Sequence, residues 1–247
     1  MAQPPILLLT RPPGASRRML EELKAEGISG FTAIESPLLG IEHTGPLPDL
    51  DGVGGVIFTS ANGVRAWVCL GGPELGLCYT VGDATAAAAA GAGFDPRSAR
   101  GDADALVALI AADAPKVPLV HARGTHARGR VAERLLAQGI ETREAVIYDQ
   151  PAQELSASAR QALDESAPVI VPLFSPRSAA QFASGGPFRA PLQVAAMSAE
   201  VVAALGALYV SGMVIADRPD AAAMRRAVIG LLGDSGALVH RHGSVKG

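Results

Sequence analysis

The chain has 247 residues, of which 49% are hydrophobic, and a formal net charge of −3 at pH 7. This length accommodates one large domain or two small ones. The weak negative charge excludes a broad basic surface for nucleic acid or anionic membranes, so any anion site must be local. Cys69 and Cys78 are too few for a disulfide framework or a cysteine zinc site, and we expect a reducing, cytoplasmic setting.

The first predicted strand is "ILLL", residues 6–9, an apolar run too short for a signal peptide or a membrane anchor. A helix follows in "RPPGASRRMLEELKAEGI" and is predicted to end at Gly27. The next passage, "SPLLGIEHTGPLPDLDG" (residues 36–52), contains prolines and has an extended character. We interpret it as a candidate crossing between two domains.

The stretch "VIFTSANGV", residues 56–64, combines a strand signal with a helix signal. Its first three residues are apolar and predict a buried strand. We expect a helix to begin near Val64, capped by Ser60 or Asn62. Such a turn exposes backbone N–H groups and a hydroxyl to any anion nearby.

An internal repeat organises the rest of the chain. Residues 11–28 align without gaps on residues 123–140, a constant offset of 112. At an offset of 115, "FTSANGVRAW" aligns on "LFSPRSAAQF", with Ser60 on Ser175, and "VGDATAAAAAG" aligns on "AMSAEVVAALG". The chain is therefore interpreted as two copies of one strand–helix pattern.

Continuously apolar strands alternate with helical stretches, two of which are predicted to end at Gly139 and Gly206. This alternation predicts an α/β fold of two similar domains, each a parallel sheet flanked by helices. A second extended passage, "VIYDQPAQELS" (residues 146–156), marks the other candidate crossing.

The sequence lacks the common cofactor and nucleophile motifs: there is no phosphate loop, no dinucleotide fingerprint after the first strand, no zinc-protease motif and no nucleophile elbow. His43, His121 and His126 are too scattered to form a metal site. His240 and His242 could bind a metal, but we expect them to belong to a frayed tail. We therefore expect neither a metal nor a cofactor.

Hydroxyl residues and arginines recur at the predicted strand-to-helix turns, and the carboxyl ends of parallel strands are where open α/β sheets bind ligands. This favours a cleft for a large polyanion. Each residue also has a structural interpretation: the serines can be helix caps, the arginines can orient a helix, and Tyr148 can be a buried strand aromatic. The turn residues are Thr10, Arg11, Thr59, Ser60, Asp83, Thr85, Arg123, Ser175, Arg177 and Ser178.

Five motifs occur in a characteristic order across nearly the whole chain: "LLLTRPPGASRRMLEELKAEG", "VIFTSANGV", "YTVGDATAAA", "VHARG…AERLLAQGIETREAVIYD" and "FSPRSAAQF". In this order they resemble the uroporphyrinogen-III synthase family, enzymes of tetrapyrrole (haem) biosynthesis. Members of that family cyclise linear hydroxymethylbilane to uroporphyrinogen III, with inversion of ring D and loss of water. The resemblance therefore implies a lyase acting on a small-molecule polycarboxylate.

The resemblance also implies two α/β domains joined by a two-stranded linker. Residues 1–38 and 151–247 would form the first domain and residues 39–150 the second, with crossings near residues 38 and 150. Two small domains joined in this way suggest a monomer. A monomer of this family could also make a transient contact with the preceding enzyme of the pathway.

By motif position, Tyr148 corresponds to the family tyrosine and is the candidate proton donor to the leaving hydroxyl. The candidate substrate-binding residues lie at the matching turns: Arg11, Thr59, Ser60, Thr85, Arg123, Ser175 and Ser178. The sequence departs from the family pattern at Met197, Ser198 and Glu200, and at Asp220, which we expect to face solvent or cap its helix.

Two other functions remain compatible with the sequence. The weakened turns of the second copy also fit a binding module of the same fold, which would hold a tetrapyrrole or another polycarboxylate without turnover. The paired α/β domains alone suggest a sugar or nucleotide transferase, against which the missing phosphate loop argues.

Overall fold

The computed structural model describes residues 3–127 and 129–239. The side chains of Leu238 and Val239, and the tail histidines His240 and His242, lie outside that description. Internal contacts divide the chain into two units. The first contains the described parts of Met1–Gly40 and Ala152–Gly247, and the second contains those of Ile41–Pro151.

Short strands alternate with helices along both units. In chain order the strands are β1 (Ile6–Leu9), β2 (Ile28–Ser29), β3 (Thr32–Glu35), β4 (Glu42–His43), β5 (Gly55–Phe58), β6 (Leu77–Thr80), β7 (Pro96–Ser98), β8 (Leu119–Gly124), β9 (Thr142–Asp149), β10 (Val169–Leu173), β11 (Leu192–Ala196), β12 (Gly212–Ile215) and β13 (Leu238–Val239). The helices are α1 (Pro13–Ala25), α2 (Ala61–Cys69), α3 (Asp83–Ala90), α4 (Ala103–Asp113), α5 (Val131–Leu136), α6 (Ala157–Asp164), α7 (Pro176–Ser184), α8 (Ala199–Ala203) and α9 (Ala221–Asp234).

The first unit is built on a 5-stranded sheet in the order β12-β11-β10-β1-β3, and every pairing in it is parallel. Successive residues of β1 enter different cores, because side chains alternate across a sheet. Leu8 packs with Phe182 of α7 on one face, and Leu7 packs with Leu23 of α1 and Val228 of α9 on the other. Both faces of the sheet are therefore covered by helices, as the uniformly apolar strands predict.

The second unit contains a 6-stranded sheet in the order β4-β9-β8-β5-β6-β7. Only β4 runs antiparallel, against β9; the other pairings are parallel. Phe58 of β5 packs with Trp67 of α2, whereas the preceding Ile57 packs with Leu106 of α4 and Leu135 of α5. The α/β fold with two helix-flanked parallel sheets is confirmed.

The internal repeat is visible in the elements. Moved by 115 residues, the bounds of α2 coincide with those of α7, and β6 overlaps β11. The sheet orders also correspond, because β7-β6-β5-β8-β9 in the second unit has the same arrangement as β12-β11-β10-β1-β3 in the first. The pair β1 and β3 stands at the start of the first unit, whereas its counterpart, β8 and β9, stands at the end of the second, so the two copies are circularly permuted.

The predicted helix ends agree with the structure, whereas one predicted helix start does not. Gly27, Gly139 and Gly206 follow helices and have positive φ angles of 74°, 78° and 59°, a conformation that is common just after helix ends. The expected start of α2 near Val64 is wrong: the helix begins at Ala61, because Ser60 adopts an extended conformation and caps it.

The repeat at an offset of 112 also gives the wrong length for α5. Carried over from α1, it predicts a helix over residues 125–137, whereas α5 spans only Val131–Leu136. The preceding Arg130 has a left-handed φ of 47°, which a continuing α-helix excludes.

The chain passes from the first unit to the second after Gly40 and returns after Pro151. An isolated antiparallel bridge joins Leu39 to Ala152, and β4 places His43 opposite Tyr148. No helix in the described part of the chain combines the length and the apolar composition that crossing a membrane requires.

Asp220 provides a test of the local helix signals. Its Oδ1 accepts a hydrogen bond of 2.8 Å from the N–H of Ala223, so it caps α9, whose Met224 and Val228 are fully buried. Asp220→Ala should lower the free energy of unfolding by about 1 kcal/mol in chemical denaturation. Asp220→Asn keeps the acceptor and should remain near the wild type; an equal loss in both variants would contradict the capping role.

Candidate functional site

The turns that follow parallel strands collect at one edge of the second unit's sheet. Thr59 and Ser60 follow β5, Gly124 ends β8, and Tyr148 lies one residue before the end of β9. Since β5, β8 and β9 are neighbours with the same direction, these residues emerge side by side. The structure thus brings the candidate proton donor and two candidate binding residues to one place.

Ser60 lies between the helix start and the Tyr148 phenol. Its Oγ accepts a hydrogen bond of 3.1 Å from the N–H of Asn62. The phenol oxygen is hydrogen-bonded to the Ser60 side chain and to the Gly124 backbone, and both contacts lower the pKa of Tyr148. These two contacts hold the phenol beside the turn that follows β5.

The phenol is held in its protonated form. Burial, which leaves Tyr148 6% exposed, raises its pKa, and the hydrogen bonds from Ser60 and Gly124 and the charge of Arg65 offset only part of this rise. At neutral pH the side chain is consequently a neutral phenol. It can act as a weak general acid.

Gly124 makes room for the tyrosine ring. A Cβ atom at this position would lie 2.6 Å from both Cε2 and Cζ of Tyr148, closer than real Cβ contacts. Only glycine therefore allows the ring to approach the end of β8. Gly124 is not among the residues predicted from the sequence, because its partner is 24 positions away and no local signal marks the contact.

His121, on β8, holds Thr59. Its Nε2 lies 3.1 Å from Thr59 Oγ1, and its ring is 1% exposed. Burial lowers the pKa of His121 to about 4; the charge of Arg123 adds to this effect and that of Glu144 opposes it. The imidazole is neutral at physiological pH. From the sequence His121 could be judged only as a metal ligand, and no local signal marks its contact with Thr59.

Arg123 is engaged within the second unit. Its guanidinium donates to Glu144 Oε2 at 2.7 Å and to the carbonyls of Gly124 at 3.0 Å and Thr125 at 3.3 Å. These bonds support the structural interpretation of this arginine, because they fix the loop that follows β8.

Thr85 is also less accessible than a binding residue needs to be. It is 6% exposed in the first turn of α3, where its N–H donates to Gly82 O at 3.0 Å. Among the candidates of the second unit, Thr59 and Ser60 are half-buried and border the surface.

In the first unit, Ser175 and Ser178 bond to each other. Ser175 Oγ accepts from the Ser178 N–H at 3.2 Å as the cap of α7, and Ser178 Oγ donates to Ser175 O at 3.0 Å. The Arg11 guanidinium lies 4.3 Å from the centroid of the Phe174 ring, beside Ser175. These three candidates meet at the carboxyl edge of the first unit's sheet.

The turns that depart from the family pattern have local explanations. The Ser198 hydroxyl is hydrogen-bonded to Glu200 and lowers the pKa of that carboxyl. Asp220 caps α9, one of the two roles expected for it. Within residues 3–127 and 129–239, no group of three or more His, Cys, Asp or Glu side chains is placed to hold a metal ion.

A family model described as uroporphyrinogen-III synthase HemD matches residues 18–226. Among solved structures, uroporphyrinogen-III synthetase from Helicobacter pylori 26695 superposes with a TM-score of 0.65 at 17% identity, covering 94% of this chain and 100% of that one. A mutant uroporphyrinogen III synthase from Thermus thermophilus gives a TM-score of 0.48 at 14% identity, covering 93% and 98%. No curated protein sequence matches at a significant level. The first structure establishes the shared fold.

The buried His121 makes the free energy of unfolding depend on pH. Its pKa is about 4 in the folded protein against an ordinary 6.5, so the unfolded chain takes up the proton first as the pH falls. The free energy of unfolding therefore falls as the pH drops from about 6.5 to about 4, and at pH 4.5 it is about 2–3 kcal/mol lower than at pH 7. His121→Gln should remove that portion of the difference between denaturation curves at pH 7 and pH 4.5. His43→Gln, at an exposed histidine, is the control; equal pH dependence in wild type and His121→Gln would refute the assignment.

Gly124→Ala should destabilise the protein by about 1–3 kcal/mol, because the added methyl group overlaps the Tyr148 ring. Gly230→Ala is the matched control, since no atom beyond its chain neighbours and the backbone of its own helix lies within 4 Å of its Cβ position, and alanine favours the helix there. Chemical denaturation of both variants measures the difference. A Gly124→Ala protein as stable as the Gly230→Ala protein would show that the ring does not require this glycine.

Proposed function

The chain belongs to the uroporphyrinogen-III synthase family, and we propose that it cyclises linear hydroxymethylbilane to uroporphyrinogen III in haem biosynthesis. The reaction inverts ring D and releases one water. The observation that carries this proposal is the family match over residues 18–226, which contains every candidate site residue except Arg11. The environment of Tyr148 adds chemical support.

Tyr148 is the proposed general acid. Its neutral phenol donates a proton to the hydroxyl of the hydroxymethyl group, which leaves as water and produces an electrophilic azafulvene. The substituted carbon of ring D attacks this centre and forms a spiro-pyrrolenine. Fragmentation and reclosure deliver the inverted ring, and the proton released on closure restores the phenol. Support comes from the burial of Tyr148, which raises its pKa and keeps the phenol protonated at neutral pH.

Substrate binding is proposed to rely on hydroxyls and helix starts. Thr59 and Ser60 border the surface beside the N-terminus of α2, where N–H groups and the helix dipole favour a carboxylate. Ser175, Ser178 and Arg11 offer a comparable set in the first unit. Thr85 and Arg123 remain proposed contacts, but their burial and internal bonds make them the weakest members of the set.

Several finer features belong to the same proposal. The protein would act as a cytoplasmic monomer without a cofactor, on a small-molecule tetrapyrrole substrate, with transient contact to the preceding pathway enzyme as an option. Residues 1–38 with 151–247, and residues 39–150, would be its folding domains, joined by a two-stranded linker. The antiparallel pairing of β4 with β9 supports that linker.

The test is a coupled assay in which a deaminase supplies fresh hydroxymethylbilane and the oxidised type I and type III uroporphyrins are separated. We expect predominantly type III product. Tyr148→Phe should lower kcat by about 10- to 100-fold without abolishing type III formation, because a phenol is a weak acid at neutral pH. Tyr209→Phe, at a tyrosine that is 82% exposed, is the control.

Without a working synthase the bilane closes spontaneously to type I. A wild type that yields only type I product would refute the enzyme and leave the binding module as the better explanation. Unchanged kcat in Tyr148→Phe would instead restrict the tyrosine to a packing role.

A further inference from the structure

Two adjacent hydroxyls of one turn are held from opposite faces of the second unit's sheet. Phe58 and Tyr148 pack in one core, and the Tyr148 phenol is hydrogen-bonded to Ser60. Leu119 packs in the core of the other face, and His121, two residues further along the same strand, faces the same way and contacts Thr59. Each hydroxyl therefore has a buried ring from another strand of the sheet as its partner: His121 comes from β8 and Tyr148 from β9.

The surroundings of His121 select its tautomer. Nδ1 is buried and has no hydrogen-bond partner, whereas Nε2 lies 3.1 Å from Thr59 Oγ1. A neutral imidazole carries its hydrogen on one nitrogen only. A hydrogen on Nδ1 would be a buried donor with no acceptor, which costs more than an unused lone pair. The hydrogen therefore belongs on Nε2, which donates to Thr59.

The tautomer determines what Thr59 can do. Because Oγ1 accepts from the histidine, the hydroxyl hydrogen of Thr59 does not point back to the ring and is available to an acceptor at the edge of the sheet. Thr59 is half-buried at that edge, beside the N-terminus of α2. A carboxylate there would receive a hydrogen bond from a hydroxyl whose hydrogen is not used by the ring.

We propose that His121 is a positioning residue of the cyclisation: it donates from Nε2 to Thr59 and so directs the Thr59 hydroxyl to a carboxylate of the substrate. This inference rests on the proposed function. A packing role explains less, because the unpartnered Nδ1 makes the buried imidazole costly, and an apolar side chain would fill the same space without that cost. Arg123 and Glu144 are the charged groups near the ring.

The first arm of the test observes the tautomer in the wild-type protein. Nitrogen-15 NMR of the histidine ring distinguishes a protonated Nε2 from a protonated Nδ1 without any turnover. We expect His121 to carry its hydrogen on Nε2 at pH 7. A hydrogen on Nδ1 would overturn the proposal, because Thr59 would then have to donate to the ring.

The second arm measures kinetics in the type III assay. Thr59→Val and His121→Leu should each raise KM about tenfold with little change in kcat, since a ground-state contact to a carboxylate is lost. His121→Gln keeps an N–H near the position of Nε2, and Thr59→Ser keeps the hydroxyl, so both should restore most of the affinity. The double variant His121→Leu/Thr59→Val should be no worse than either single one, because the histidine acts through the threonine.

The outcomes separate the two proposals. Additive losses in the double variant, or equal KM values for His121→Leu and His121→Gln, would overturn the positioning role while type III formation by the wild type upholds the function. Denaturation curves at pH 7 identify variants that fail to fold, and Thr59→Val keeps the test open if His121→Leu is among them. A wild type that forms only type I product refutes the function and, with it, this inference.

Discussion

Parallel pairing of short, fully buried strands is the constraint on which the rest of this structure depends. Such strands cannot return through hairpins, so helices must connect them and cover both faces of each sheet. Every turn that follows a strand then emerges at the same edge. In the second unit this brings Thr59, Ser60, Gly124 and Tyr148 together from three strands, although the chain separates them by up to 89 positions. The site is thus a product of the topology and not of a local motif.

The same constraint explains how a chain with a net charge of −3 could hold the polyanionic substrate proposed for it. Hydroxyls and helix N-termini supply donors without formal charge, and they are oriented by contacts made elsewhere in the fold. Arg123 shows that an arginine near the site need not serve the ligand, because Glu144 and two carbonyls already engage it. Arg11, stacked on Phe174, is more accessible.

Local signals in the sequence predicted the features that depend on neighbouring residues, namely the strands and the helix ends. Apolar runs gave the strands, Gly27 and Gly139 marked helix ends, and the α/β class and the repeat followed from their alternation. The contact of His121 with Thr59 could not be predicted in this way, because it joins residues 62 positions apart. The shortening of α5 could not be read from the repeat either, because Arg130 is left-handed whereas its counterpart Arg18 lies within α1. The side-chain environment of Tyr148 likewise required the fold, since its partners come from β8 and from the turn after β5.

On the proposed function, oriented hydroxyls at the edge of the second unit's sheet hold the substrate's carboxylates. A crystal structure of the protein with the octacarboxylate product bound would show these contacts. We expect at least one carboxylate to accept a hydrogen bond from Thr59 Oγ1 near the N-terminus of α2, with the Tyr148 phenol facing the tetrapyrrole. A product held only by exposed arginines and lysines, with Thr59 and Tyr148 away from it, would contradict the claim.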